Sequence, residues 1–264
     1  MVDYRHVTVP VRGGKFQVQM IEGGAGDNLI FLHGENGSTE WSPFLDLLAQ
    51  HFHVFAPAHP GQGGSNGLQY LDDLWDLVIF YEELMQELGI DRAHAVGHSY
   101  GGLLAAELAS HRPEKVSRLV LINSLGLWLD DAPIADFFIF TAEERAKMLW
   151  FDSECDAAKV AFAQPSDPEE KMESDLARTE TLAAVGKFIW PIPDKGLTKR
   201  IHRITIPTLL LWGASDGMVS MKYGRAFKDL LPNSSLKVIE KAGHLPQDER
   251  PAEVVDAMLP FLQS

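Results

Sequence analysis

The chain has 264 residues, 45% hydrophobic and 23% charged, with a formal net charge of −14. That is enough apolar matter for one α/β core, but too much negative charge for neutralising nucleic-acid phosphates or an anionic membrane, so a neutral small molecule is the favoured partner. No run reaches the roughly 18 apolar residues of a membrane helix, the opening MVDYRHVTVP lacks a signal-peptide core, and the lone Cys155 excludes an internal disulfide framework, so a cytoplasmic protein is expected.

The first segment, YRHVTVPVRGGKFQVQMIEGG, alternates apolar and polar residues on both sides of Arg12-Gly13-Gly14-Lys15, the pattern of an antiparallel hairpin with a glycine turn. Six short apolar runs follow: NLIFLHG, FHVFAPA, AHAVGHS, VSRLVLINS, TLLLWGASD and LKVIEKAGH. Continuous apolar runs suit strands buried on both faces, and the helical segments between several of them predict a mostly parallel sheet wrapped on both sides. The clearest helix runs over 70–88. There Leu71, Leu74, Trp75, Val78, Tyr81, Met85 and Leu88 recur at helical spacing, and Gly89 supplies the stop. Residues 125–203 break the strand–helix rhythm. They hold no convincing strand and many large apolar residues, with prolines at 165, 168, 191 and 193 dividing the segment into helices and turns.

Within AVGHSYGGLLAAELA, the frame Gly97-His98-Ser99-Tyr100-Gly101 follows an apolar strand and precedes a run of helix formers. That is the setting of a nucleophile elbow, where the serine sits in a strained turn and glycines two positions either side leave room for it. The helix that starts there aims its N-terminal dipole at the reacting oxygen. A serine hydroxyl needs a general base and an acid to orient that base. His244, after Gly243 and before Leu245-Pro246, stands past the last strand as the base, and Asp216, after Leu209–Trp212, stands as the acid. The order serine, aspartate, histidine fits three strand ends in succession. The rival acid position, one strand after the nucleophile, carries Asn123-Ser124, and neither side chain holds a formal charge. Two backbone N–H groups should receive the oxyanion: that of Tyr100, and that of Glu35 in HGENG with its carboxylate turned away, with Asn36 as the competitor.

Taken together, FLHGENG, PGQGGS (60–65), GHSYGG, LLLWGASDG and AGHLPQDERP resemble the α/β-hydrolase family across nearly the whole chain. The resemblance implies an eight-stranded, mostly parallel sheet with a helical cap inserted after the sixth strand. The core would be residues 1–124 and 204–264, and the cap 125–203. It also implies the triad Ser99, Asp216 and His244, and neither metal nor organic cofactor. The serine at the elbow separates the chain from the haloalkane dehalogenase and epoxide hydrolase branches, which use an aspartate there. Many relatives carry an aspartate before PGQGGS where this chain has Ala58-His59.

The expected activity is hydrolysis of a small carboxylic ester with an apolar or aromatic group, held in the cap by Trp128, Phe137, Phe138 and Trp190. The alternative is carbon–carbon bond hydrolysis of ring-fission dienone acids, which similar capped relatives perform and for which Arg178 is a candidate carboxylate partner. A ligand-binding receptor on the same fold is the third reading. Oligomeric state is not legible in the sequence.

Overall fold

The computed structural model describes residues 2–35, 37, 40–163, 165–192 and 194–264. Eight strands form one sheet: β1 (Tyr4–Val11), β2 (Phe16–Gly23), β3 (Asn28–Leu32), β4 (His53–Pro57), β5 (Ala93–His98), β6 (Val116–Ile122), β7 (Thr208–Gly213) and β8 (Ser234–Ile239). Their spatial order is β1-β2-β4-β3-β5-β6-β7-β8. β1 pairs with β2 and β2 with β4 antiparallel, and every later pairing is parallel. The hairpin and all six apolar runs read from the sequence are strands.

Side chains on a strand alternate between faces, and here each face has its own core. Ile30, Leu32, Ala95, Leu119, Leu121, Leu210 and Trp212 point to one face, where α2 (Leu74–Glu87), α3 (Tyr100–His111) and α7 (Met221–Leu230) pack. Leu29, Phe31, Val96, Val120, Ile122, Leu209 and Leu211 point to the other, against α1 (Pro43–Ala49) and α9 (Pro251–Leu262). Asp73 caps α2 by accepting from the N–H groups of Trp75 and Asp76, so the helix starts at 74 rather than 70; residues 68–70 form a 3-10 turn instead. Gly89 ends it at φ +67°.

Between β6 and β7 the described residues hold no strand. They form α4 (Ala142–Leu149), α5 (Asp156–Ala161) and α6 (Pro168–Ile189), as the proline-divided segment predicts. α4 starts with a reciprocal capping box between Thr141 and Glu144, and Cys155 caps α5 through its sulfur. Among the described residues no helix is long and apolar enough to cross a membrane.

Candidate active site

The carboxyl ends of the parallel strands carry the site. Ser99 follows β5 and is the N-cap of α3, at φ 51°, ψ −115°, a conformation that L-residues adopt only when their surroundings enforce it. The enforcement is visible. Ser99 N–H donates to the Ile122 carbonyl (2.9 Å), while the Ser99 carbonyl accepts from Leu103 N–H and Leu125 N–H (3.1 Å each). The flanking glycines are sterically required: a Cβ on Gly97 would lie 2.3 Å from the Gly101 carbonyl oxygen, and one on Gly101 would lie 2.0 Å from that of Leu32. With Leu103 N–H bonded back to Ser99, the N–H groups of Tyr100, Gly101 and Gly102 open α3 without intrahelical acceptors, an electropositive end beside the serine hydroxyl.

Asp216 follows β7 and His244 follows β8. Both side chains have no exposed surface. His244 Nδ1–H donates to Asp216 Oδ2 at 2.8 Å, and Asp216 Oδ1 accepts from the N–H groups of Met218 and Val219 at 2.8 Å each, so the carboxylate is fixed from both sides. Burial pulls the His244 imidazole down, but Asp216, then Glu35 and Glu249, outweigh it and hold its pKa above the ordinary value. The His244 backbone is pinned too, its N–H to the Leu149 carbonyl (2.7 Å) and its carbonyl by His98 Nε2–H (2.7 Å). His98 itself is pushed by burial, with His244 adding to the effect, down to about 3, so it is a neutral structural donor at neutral pH.

Ser99 Oγ and His244 Nε2 make no hydrogen bond to each other. Such catalytic contacts often tighten only when substrate binds. Asn123, the rival acid position, has a structural role: its Nδ2 donates to the Gly243 carbonyl and its Oδ1 accepts from Gly213 N–H, 2.9 Å each, stitching the loops that carry Asp216 and His244.

Of the expected oxyanion-hole residues, Tyr100 stands at the first position of α3, and Asn36 lies outside the described residues. Glu35 departs from expectation. Its carboxylate is turned into the site and is 2% exposed. Burial pushes it up, but His244, His98, the Ser99 hydroxyl and its own backbone N–H outweigh burial and bring it below the usual carboxylate range. The backbone here is pressed against the turn that carries Ser99, since a Cβ on Gly34 would lie 2.6 Å from His98 Nδ1 and 3.3 Å from Ser99 Cβ. The missing aspartate before PGQGGS is answered by His59, which donates through Nε2–H to the His33 carbonyl (2.9 Å) and accepts from the Tyr81 hydroxyl at Nδ1.

A cavity of about 950 Å³ opens above the site, between the core loops and α4–α6. Glu35, Trp41, Gln62, Arg145, Trp150 and Phe162 are among its lining residues. Trp128, Phe137, Phe138 and Trp190, expected as pocket residues from composition, are not among the described residues that line it. Phe137 is buried and stacks on Phe138 (centroids 4.5 Å apart), Trp128 donates to Asp130, and Trp190 is 59% exposed and reaches Asp136. Phe137 and Phe138 pack the segment internally, as an aromatic stripe usually does, while Trp190 lies largely in solvent. Arg178 does line the cavity and donates to the Phe140 carbonyl at 3.3 Å. Arg145, missed in the sequence, lines it as well, buried at 8% exposure. Its signal was the spacing to buried Leu149, one turn along the inward face of α4. Among the described residues no three histidine, cysteine, aspartate or glutamate side chains converge as a metal centre requires.

Residues 27–251 match a sequence profile described as the alpha/beta hydrolase fold. The chain is similar to the putative carbamate hydrolase RutD of Pseudomonas syringae, at 29% identity over 250 residues covering 89% of this chain and 93% of that protein. It is also similar to a 2-hydroxy-6-oxononadienedioate/2-hydroxy-6-oxononatrienedioate hydrolase of Burkholderia vietnamiensis, at 27% over 283 residues (98% and 95%). It spans 62% of the length of the dihydrolipoyllysine-residue acetyltransferase component of an acetoin cleaving system from Cupriavidus necator, at 29% identity over 245 residues, 87% of this chain. Among solved structures, a serine hydrolase involved in carbazole degradation superposes with a TM-score of 0.80 at 23% identity, covering 99% of both chains.

Proposed function

Since this chain belongs to the alpha/beta hydrolase fold family, we propose that it is a serine hydrolase cleaving a small carboxylic ester through Ser99, His244 and Asp216, with residues 125–203 as the cap over the substrate. The observation that carries this reading is the buried Asp216–His244 pair beside a serine locked at positive φ on a helix N-terminus. Ser99 Oγ attacks the ester carbonyl while His244 Nε2 takes its proton. Asp216 keeps Nδ1 protonated and Nε2 available as the base. The developing oxyanion sits at the α3 N-terminus, with Tyr100 N–H as its first donor. His244 then returns the proton to the leaving alcohol, and water, activated by the same imidazole, releases the acid from Ser99.

The second reading, carbon–carbon hydrolysis of ring-fission dienone acids, has its own support. Arg145 and Arg178 both line the cavity and would face a substrate carboxylate, and the Burkholderia relative carries a name of that chemistry. The same triad would serve.

Assay of p-nitrophenyl esters from acetate to octanoate beside a ring-fission dienone acid separates the two. Ester turnover that falls at least ~10³-fold in Ser99→Ala is the expected result. Turnover of the dienone acid alone moves the assignment to the second reading, and turnover of neither by folded protein overturns both.

A further inference from the structure

The nucleophile is sealed from the cavity that should deliver substrate to it. Ser99 and His244 are each 0% exposed and neither is among the described residues lining the 950 Å³ cavity, whereas Glu35 lines it and lies against both. Its carboxylate therefore stands between cavity and serine. It also accepts from its own backbone N–H, the group expected to receive the oxyanion, in the electropositive field of the α3 N-terminus. A carboxylate there imitates the charge of the tetrahedral intermediate, and substrate and side chain cannot occupy that space together.

The same cavity offers a second position for this charge. Arg145 on α4 is buried, its Nε has no hydrogen-bond partner, and no carboxylate forms an ion pair with it among the described residues. Its guanidinium lies over the Phe162 ring, 5.6 Å from the centroid, but a buried cation without a carboxylate counter-charge is costly. Burial, with Arg178 adding repulsion, pushes it down to about 10, and Glu35 is the negative charge that counters this.

We propose that the Glu35 carboxylate is the group a substrate displaces to reach Ser99, and that the Arg145 guanidinium receives it when it turns out of the site. Glu35 is then a positioning residue: turned in, it blocks the oxyanion position and stabilises the His244 imidazolium; turned out, it clears the backbone donors and leaves Asp216 and Glu249 as the carboxylates acting on His244. The ionisable groups facing Glu35 are His33 on its own loop, His98 at the end of β5, His244 after β8 and Arg145 on α4. Those facing His244 are Asp216, Glu35, Glu249 and His98. The inference rests on Ser99 being the nucleophile, and the test separates the two.

Two readouts are needed on wild type, Glu35→Gln, Glu35→Ala, Arg145→Gln and the double variant Glu35→Ala/Arg145→Gln. The first is the NMR titration of the His244 ring, assigned with His244→Gln, which requires no turnover. A gating carboxylate predicts a His244 pKa lower by about one unit in Glu35→Gln and raised in Arg145→Gln, where the carboxylate has lost its second position. The second is the labelling rate of Ser99 by a neutral fluorophosphonate. It should rise about tenfold in Glu35→Ala and fall in Arg145→Gln, and the arginine substitution should have no effect once Glu35 is alanine. A His244 titration unmoved by both substitutions, or additive labelling effects in the double variant, overturns the proposal. The expected His244 shifts in the variants, with no labelling of Ser99 in wild type, fail the nucleophile assignment alone. Glu35→Gln keeps the shape of the side chain, so a fold defect confined to Glu35→Ala leaves the titration decisive.

Discussion

Asp216 uses both carboxylate oxygens, one on His244 and one on two backbone N–H groups, and has no solvent contact. Replacing it by asparagine keeps the shape but offers His244 Nδ1 an amide, which removes the charge and permits the wrong imidazole tautomer. We expect kcat in Asp216→Asn to fall by ~10⁴. The pH profile carries a second signature. In the proposed mechanism catalysis needs neutral His244, and because Asp216, Glu35 and Glu249 outweigh burial, its pKa lies above the ordinary 6.5. Activity of wild type should therefore fall as pH drops through a value above 6.5, and the residual activity of Asp216→Asn should persist to lower pH. A kcat/KM profile from pH 5 to 9 on both proteins checks the limb. The placement of Ser99, Asp216 and His244 was legible because each follows a strand end in an ordered motif. Arg145 and the inward turn of the Glu35 carboxylate, a residue singled out only for its backbone, were not: a buried charge breaks the hydrophobic pattern, and the cavity joins segments more than a hundred residues apart.

At the scale of elements, the loops after β7 and β8 are held together by β6. Asn123, wholly buried at φ 44°, joins Gly213 N–H to the Gly243 carbonyl through its side-chain amide. Asn123→Ala strands two buried backbone groups at about 1–3 kcal/mol each. Chemical denaturation should register a loss of about 2–6 kcal/mol, and kcat should drop as the Asp216–His244 geometry loosens. Unchanged stability would remove Asn123 from this role. Strands β3 to β7 could be read from continuous apolar runs because both sheet faces are buried there. The start of α2 was misplaced by four residues because Leu71 continues the apolar periodicity, while the Asp73 cap sets where the helix begins. The aromatic residues of 125–203 were legible as apolar mass, but composition does not say which rings face a cavity and which face one another.

Across the whole molecule, the chain returning from 125–203 is tied to the core by charge as well as packing. Arg200 Nε and Nη2 reach the two oxygens of Glu107 on α3 at 3.0 and 2.6 Å, and the Glu107 side chain is 1% exposed. Removing the cation leaves that carboxylate buried without its counter-charge. Arg200→Met should therefore lower stability by about 3 kcal/mol, the lower end for a broken buried pair because Arg200 itself is partly exposed. A thermal melt of Arg200→Met beside Glu107→Gln/Arg200→Met checks this, since the double variant should recover part of the loss. The net charge of −14 gave no hint of this pair, or of the two arginines in the cavity, because a sum over the chain is silent about where cations gather.

The glycines around Ser99 have a consequence for how such an enzyme changes its diet. Gly97 approaches the Gly101 carbonyl and Gly101 that of Leu32 so closely that not even a methyl group fits. The floor of the site therefore offers selection almost nothing to vary. New substrates, in a lineage or in a mutagenesis library, have to be accommodated by rewriting α4–α6 and the Glu35 loop, and a library directed there will keep its folded members while one directed at the elbow will lose them.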